Sequence, residues 1–226
     1  MSSKPDLKLD WCSGKAATYA CERWHYSKCI PKFKTVKIGV WENGAFIGCV
    51  IFTNPMPPVV KRFRCQSRQI TELARVALAR HQTPVSRIIA IATKMIVKTN
   101  PGLIVLVSYA DSGQGHHGGI YQASGFSYFG RNDGGREYLF KGRWVHPRTI
   151  VGAIANGSIG KDDAWSLPSR STGGKHCYAK LIGNSKQYRI PLQSQPFPKR
   201  ARSIDSDAPG VQSGEGGATP TRALLG

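Results

Sequence analysis

The stretch from Leu103 to Phe126, LIVLVSYADSGQGHHGGIYQASGF, constrains the fold more than any other part of the chain. Leu103 to Val107 form an unbroken run of branched apolar side chains. Such a run, with no polar alternation, predicts a strand covered on both faces, as in a mostly parallel sheet. It then gives way to Ser108, Asp111, Gly113, Gly115, His116, His117, Gly118 and Gly119. A short helix carrying Ile120, Tyr121 and Ala123 is expected next, ended by Gly125. In open sheets of this kind ligands sit beyond the carboxyl ends of the strands. Ser108, Asp111 and the two histidines therefore stand where chemistry is expected. A solvated, glycine-rich turn is the plainer account of the same residues.

The rest of the chain fits around that strand. Ser13 is placed to cap a first helix, SGKAATYACERWHYSK, with Ala16, Ala17, Ala20 and Trp24 at helical spacing and Pro31 as its stop. VKIGVWE and AFIGCVIFT follow as strands, joined by Asn43-Gly44, a strong hairpin signal. Residues 54–68 read as a proline-broken basic loop, and ITELARVAL as the next strand. Thr83-Pro84 predicts a helix start, with Val85, Ile88, Ile89, Ile91, Ala92 and Met95 as its apolar face and Asn100-Pro101-Gly102 at its end. Beyond the central stretch, a strand is expected near Glu137 to Phe140 and a helix from Pro147. Lys175 to Ile182 and Gln187 to Leu192 are expected as a final strand pair. From about Lys199 the chain is rich in Gly, Ser and Pro, so residues 1–198 are expected to form one domain and 199–226 a basic, disordered tail.

Charge narrows the choice of partner. Lys and Arg number 32 against 13 Asp and Glu, a net +19, which attracts polyanions and says nothing of fold. No basic amphipathic helix and no apolar run of membrane-spanning length is present, so nucleic acid is favoured over a membrane. The N-terminus lacks the apolar region of a signal peptide, and a cytoplasmic protein is expected. The six cysteines form no CxxC pair, which argues for reduced, structural thiols and against zinc.

Several of these segments together resemble one family. His25-Tyr26-Ser27-Lys28 with Pro31, GVWENGAFIGCVIF, ELARVAL with HQTPVSRIIAIA, and NPGLIVLVSYADSGQGHHGGIYQASGF are similar to the Mom proteins of Mu-like bacteriophages. That resemblance implies an α+β, GNAT-like acyltransferase fold, with a central mixed, twisted sheet flanked by helices. It implies modification of adenine in phage DNA with a carbamoylmethyl group on the exocyclic amine, which shields the DNA from host restriction. It also implies action in the cytoplasm of the infected host.

An exocyclic adenine amine is a weak nucleophile, so acylating it needs a base and donors for the oxyanion. Asp111 is the candidate base, with helix capping as its plainer role. Tyr26 and Tyr121 are candidates to donate phenolic hydroxyls to the carbonyl or the leaving group, and Ser108 to hydrogen-bond the donor or the base. His25, His116 and His117, with Tyr26 and Asp111, form an alternative iron set, since imidazole and carboxylate suit that metal. Duplex adenine must be extruded, and Trp24, Tyr26, Tyr109 and Tyr121 are candidates to stack on it. Lys28, Lys61, Arg62, Arg64, Arg68, Lys199 and Arg200 are the candidate phosphate contacts for double-stranded DNA.

The donor is the open question. Relatives with this fold grip the pyrophosphate of acetyl-CoA with a glycine-rich loop after the fourth strand. Here the loop reads Ala79-Arg80-His81-Gln82-Thr83-Pro84-Val85-Ser86, without glycine. Pro84 also lacks an amide donor. Arg80, Ser86, Arg87, His116 and His117 are left as candidate donor-binding residues. Glycyl-tRNA, which brings two carbons and one nitrogen, is ranked above acetyl-CoA, and a homodimer is allowed for. Two other readings stand beside this one: a non-catalytic DNA-binding protein on the same scaffold, and a conventional CoA-dependent N-acetyltransferase.

Overall fold

The computed structural model describes residues 4–199, so Arg200 and most of the expected tail lie outside the described residues. A seven-stranded mixed sheet, in the order β1 (Leu7–Trp11), β2 (Thr35–Glu42), β3 (Ala45–Thr53), β4 (Ile70–Leu78), β5 (Val105–Asp111), β10 (Lys175–Leu181) and β6 (Ser127–Arg131), carries helices on both faces. This is the α+β architecture expected from the sequence, a central mixed sheet flanked by helices.

The hairpin of β2 (Thr35–Glu42) and β3 (Ala45–Thr53) turns at Asn43 and Gly44, both at positive φ (51° and 79°). That pair of conformations matches the right-handed twist of the strands it joins. β3 is buried almost throughout because both its edges are paired and both its faces are covered. Gly48 sits at φ +137° with the carbonyl oxygen of Ala77 2.0 Å from where a Cβ would be, so no other residue fits that crossing. β1 (Leu7–Trp11) pairs antiparallel with β2 and forms an edge that the sequence reading did not foresee.

β4 (Ile70–Leu78) and β5 (Val105–Asp111) are parallel neighbours, connected by α3 (Val85–Thr99). α3 buries Ile88, Ile89, Ala92, Thr93 and Ile96 against the sheet. Each of its buried isoleucines contributes roughly 1.5–3 kcal/mol relative to exposure. β4 and β5 pair only from Ile70–Val105 to Leu73–Ser108, although both strands run on. Beyond that point no ladder joins them, and the gap between their carboxyl ends is the cleft. A bulge in the β3–β4 pairing, between Ile51 and Phe52, leaves Ala74 unmatched just past the end of that ladder.

α1 (Gly14–Trp24) covers the other face, packing Ala17, Ala20 and Cys21 on Cys49, Ile51 and Ala77. It stops at Trp24, before the expected end at Lys28, and His25 is its C-cap. Within the expected loop 54–68, Pro57–Arg62 form helix α2, with proline in the first turn. Thr83 does not cap α3. Pro84 occupies the N-cap and gives no side-chain bond.

After α4 (Gly119–Ala123) and β6 (Ser127–Arg131) the chain leaves the sheet. It builds a second sheet, β8-β7-β9, from β7 (Arg136–Phe140), β8 (Arg143–Val145) and β9 (Ser169–Ser171). α5 (Pro147–Ala155) and α6 (Lys161–Trp165) complete this insertion. β10 (Lys175–Leu181) then returns between β5 and β6. Gln187 to Leu192, expected as a strand, is not one. Tyr188, Ile190 and Leu192 instead lay apolar side chains against the core around Phe63 and Val105.

Candidate active site

The cleft between β4 and β5 gathers most of the distinctive side chains. The turn that follows α1 brings in His25 and Tyr26. Their rings lie 4.4 Å apart, and Tyr26 meets His116 edge-on at 5.2 Å. His116 is held there because its N–H donates to the Asp111 carbonyl (3.2 Å). Asp111 ends β5, four residues past Val107, where the strand was expected to end, and its Oδ1 accepts the Gly113 N–H at 3.0 Å. It therefore does cap a 3-10 turn, and it also faces Tyr26 closely enough for its charge to act on that phenol.

The electrostatics assign protons. Burial, then the charges of Arg75, His116 and Lys28, pull the His25 pKa down to about 4, so the ring is neutral at pH 7. Its Nδ1 accepts the Ser27 N–H at 3.1 Å, which places the proton on Nε2. Partial burial and the negative charge of Asp111 raise Tyr26, so its hydroxyl stays protonated. A neutral imidazole, a protonated phenol and a carboxylate thus share one cleft.

Two further groups at the cleft escaped the sequence reading. Arg75, next to the β4 bulge, donates from Nε to the Cys29 carbonyl (3.3 Å) and from Nη1 to the Ala74 carbonyl (2.7 Å). It ties the His25–Cys29 turn to β4. Glu72 lies deeper, where burial raises its carboxyl against the opposing charges of Lys175 and Arg75. The available signal was a charge pair, Glu72 and Arg75, inside a strand with apolar neighbours, since such residues are seldom buried without a role.

Other candidates stand elsewhere. Ser108 is fully buried and donates to the Leu73 carbonyl at 2.7 Å, so it ties β5 to β4 at the end of their ladder and does not face the cleft. Tyr121 packs its ring against Phe126 and Tyr178, at 5.5 and 5.3 Å, beside the core under α3. His117 offers its carbonyl to the Tyr178 hydroxyl and to the Gln122 amide. Arg80 and Arg87 are exposed and Ser86 half-buried, around the start of α3. There the carboxylate of Glu42, at the end of β2, accepts the Gln82 N–H (2.9 Å), the Thr83 N–H (2.8 Å) and the Thr83 hydroxyl (2.6 Å).

The iron set does not fit. Among the described residues no group of three or more His, Cys, Asp or Glu side chains is placed to hold a metal ion. The Nδ1 of His25 and Oδ1 of Asp111 are already engaged. No described helix is long and apolar enough to cross a membrane. The described cysteines are all free thiols.

The basic residues divide. Lys61, Arg64 and Arg68 are exposed, as is Lys199. Arg62 donates to the Phe129 carbonyl at 3.1 Å, and Lys28 to the Arg23 carbonyl at 3.3 Å, so both have intramolecular roles. Directly after Cys29, an open groove is lined by Ile30, Pro31, Phe33 and Lys32, Lys34 and Lys37. Phe33 is 56% exposed there.

The sequence profile of the Mom protein family matches residues 6–199. The chain belongs to the Mom protein family. This membership spans the whole sheet, the cleft and the insertion. No curated protein sequence matches the chain. Among solved structures it is similar to a putative acetyltransferase from Acinetobacter baylyi, at 12% identity and TM-score 0.46, over 80% of this chain and 95% of that one. It is also similar to a GNAT family acetyltransferase from Streptococcus pneumoniae, at 14% identity and TM-score 0.46, over 78% and 100%. A third, a GNAT family acetyltransferase from Elizabethkingia anophelis with acetyl-CoA bound, shares 10% identity at TM-score 0.41, over 78% and 98%.

Proposed function

We propose that this Mom-family chain is a transferase that acylates the exocyclic amine of adenine in phage DNA, in the host cytoplasm, and leads to the carbamoylmethyl derivative that resists restriction. The observation that carries this reading is the convergence of His25, Tyr26, His116 and Asp111 in the β4–β5 cleft of a Mom-family fold.

The extruded adenine amine attacks the donor carbonyl as Asp111 takes its proton. Tyr26, kept protonated by its surroundings, donates to the oxygen of the carbonyl or of the leaving group. His25, neutral and with its proton on Nε2, orients that end of the cleft. With a glycyl ester of tRNA as donor, the carbonyl–oxygen bond breaks, the tRNA hydroxyl leaves with a proton, and adenine carries a glycyl group. That product and the carbamoylmethyl derivative are isomers, so an intramolecular rearrangement completes the conversion without further atoms. Lys61, Arg64, Arg68 and the lysine groove at 32–37 carry the phosphates of duplex DNA and of tRNA. The test supplies purified protein, DNA, tRNA, its glycyl synthetase and isotopically labelled glycine. Label in adenine is the expected result. Label arriving from acetyl-CoA and none from glycine refutes the donor.

A further inference from the structure

A helix that begins behind a loop of free N–H groups is a ready anion site. The loop before α3 has the means to be one: it leads into a 15-residue helix, with Arg80 and Arg87 exposed on either side. Two of its N–H groups, those of Gln82 and Thr83, are however already taken. Glu42 reaches across from the end of β2, on the α3 side of the sheet, and is only 8% exposed. It accepts from Gln82, from Thr83 and from the Thr83 hydroxyl, at 2.6–2.9 Å. Pro84, the next residue, has no N–H to give. Arg87 returns its own N–H to the Pro84 carbonyl at 2.9 Å. Three successive positions at the mouth of α3 therefore present no free amide.

We infer that Glu42 is a specificity-determining residue, a permanent internal anion that fills the phosphate-binding position of the β4–α3 loop and closes it to donors gripped through a pyrophosphate. Burial alone would push its carboxyl up. The Thr83 hydroxyl, the two amides and nearby His81 outweigh burial and hold it below the usual carboxylate range, so the anion is kept near neutral pH. Glutamate here does for the loop what a ligand phosphate does elsewhere. The donor must then be bound through its acyl end and through contacts other than this loop. An aminoacyl ester on a polynucleotide satisfies that requirement, because its phosphates lie along a chain which the basic surface can hold. The inference rests on the acyl-transfer reading only for this consequence; the occupancy of the loop stands apart from activity.

The experiment follows the Gln82 and Thr83 amide resonances of the isotopically labelled, full chain by NMR. Inorganic pyrophosphate and coenzyme A are titrated into it and into Glu42→Ala. In the native chain both resonances should hold still while signals from exposed lysine and arginine segments move. In Glu42→Ala, pyrophosphate should move both, and acetate should return them toward their native positions. Saturable movement of the two resonances in the native chain overturns the inference, and so does an unresponsive Glu42→Ala loop. If Glu42→Ala fails to fold, Glu42→Gln keeps the side-chain size and should bind pyrophosphate at the loop roughly 10- to 100-fold more tightly than the native chain, the scale of a hydrogen bond to a charged group. Equal affinity in the two overturns it. Transfer from acetyl-CoA with silent loop resonances would instead sink the aminoacyl donor and leave the role of Glu42 standing.

Discussion

Replacing Gly118 by alanine tests how the histidine turn is held. Gly118 adopts φ +81°, and a Cβ built on it would lie 2.3 Å from Cε2 of Tyr178. The Tyr178 ring has nowhere to go. It is fully buried, packed by Tyr121 and Tyr128 at 5.3 Å each, and its hydroxyl is bonded to the His117 carbonyl. The left-handed conformation costs a non-glycine residue roughly 1–2 kcal/mol, and overpacking a closed core about 1–3 kcal/mol. Together they predict a loss of about 2–5 kcal/mol. In a domain of this size that lowers the melting temperature by about 4–20 °C. Gly115→Ala is the control: its φ is +70°, but nothing lies within 4 Å of the added Cβ, so only the conformational cost applies. Differential scanning calorimetry of the two variants separates the terms. Equal losses for Gly118→Ala and Gly115→Ala would refute the steric account and, with it, the idea that Tyr178 fixes the turn carrying His116.

Three other perturbations probe the cleft and the surface. Asp111→Asn should fold normally and lose about 10²–10⁴ in modification rate, the contribution of a general base, and a rate within tenfold of native in single-turnover assays would remove Asp111 from that role. His25 has its pKa lowered from 6.5 to about 4 on folding, so the unfolded chain binds its proton first as pH falls. The stability due to its neutral burial is therefore complete above 6.5 and drains away as pH falls from there toward 4, a segment that denaturation curves of His25→Asn should lack. Replacing Lys61, Arg64 and Arg68 together should reduce the slope of log K against log salt by about 2.7 on duplex DNA, at roughly 0.9 per phosphate contact, and an unchanged slope would show that DNA lies elsewhere.

Much of the sheet was legible because its signals are local. The Asn43-Gly44 turn, the apolar run before Asp111 and the stripe on α3 each announce one element within a dozen residues. β1 passed unnoticed: Leu7 and Leu9 alternate with Lys8 and Asp10, a short edge-strand pattern easily taken for a polar terminus. α2 hid behind the prolines at 57 and 58, which start a helix as readily as they break one.

Within the candidate site, His25, Tyr26, His116 and Asp111 come from two sequence motifs, which the fold brings together. Ser108 was misplaced because the strand continues through it to Asp111, and its hydroxyl is spent on Leu73. Arg75, Glu72 and Glu42 depend on long-range pairing. The bulge that positions Arg75 is a property of two strands, and Glu42 meets its loop across 40 residues of chain, so neither can be read from one segment.

The most direct test of the central claim is the mass of adenine nucleosides in DNA from cells that express this chain, beside cells expressing Asp111→Asn. The account predicts a nucleoside heavier by one carbamoylmethyl group with the native chain, and unmodified adenine with the variant. Unmodified adenine in both, with the native chain folded and bound to DNA, would contradict it and leave a DNA-binding protein on a Mom-family scaffold.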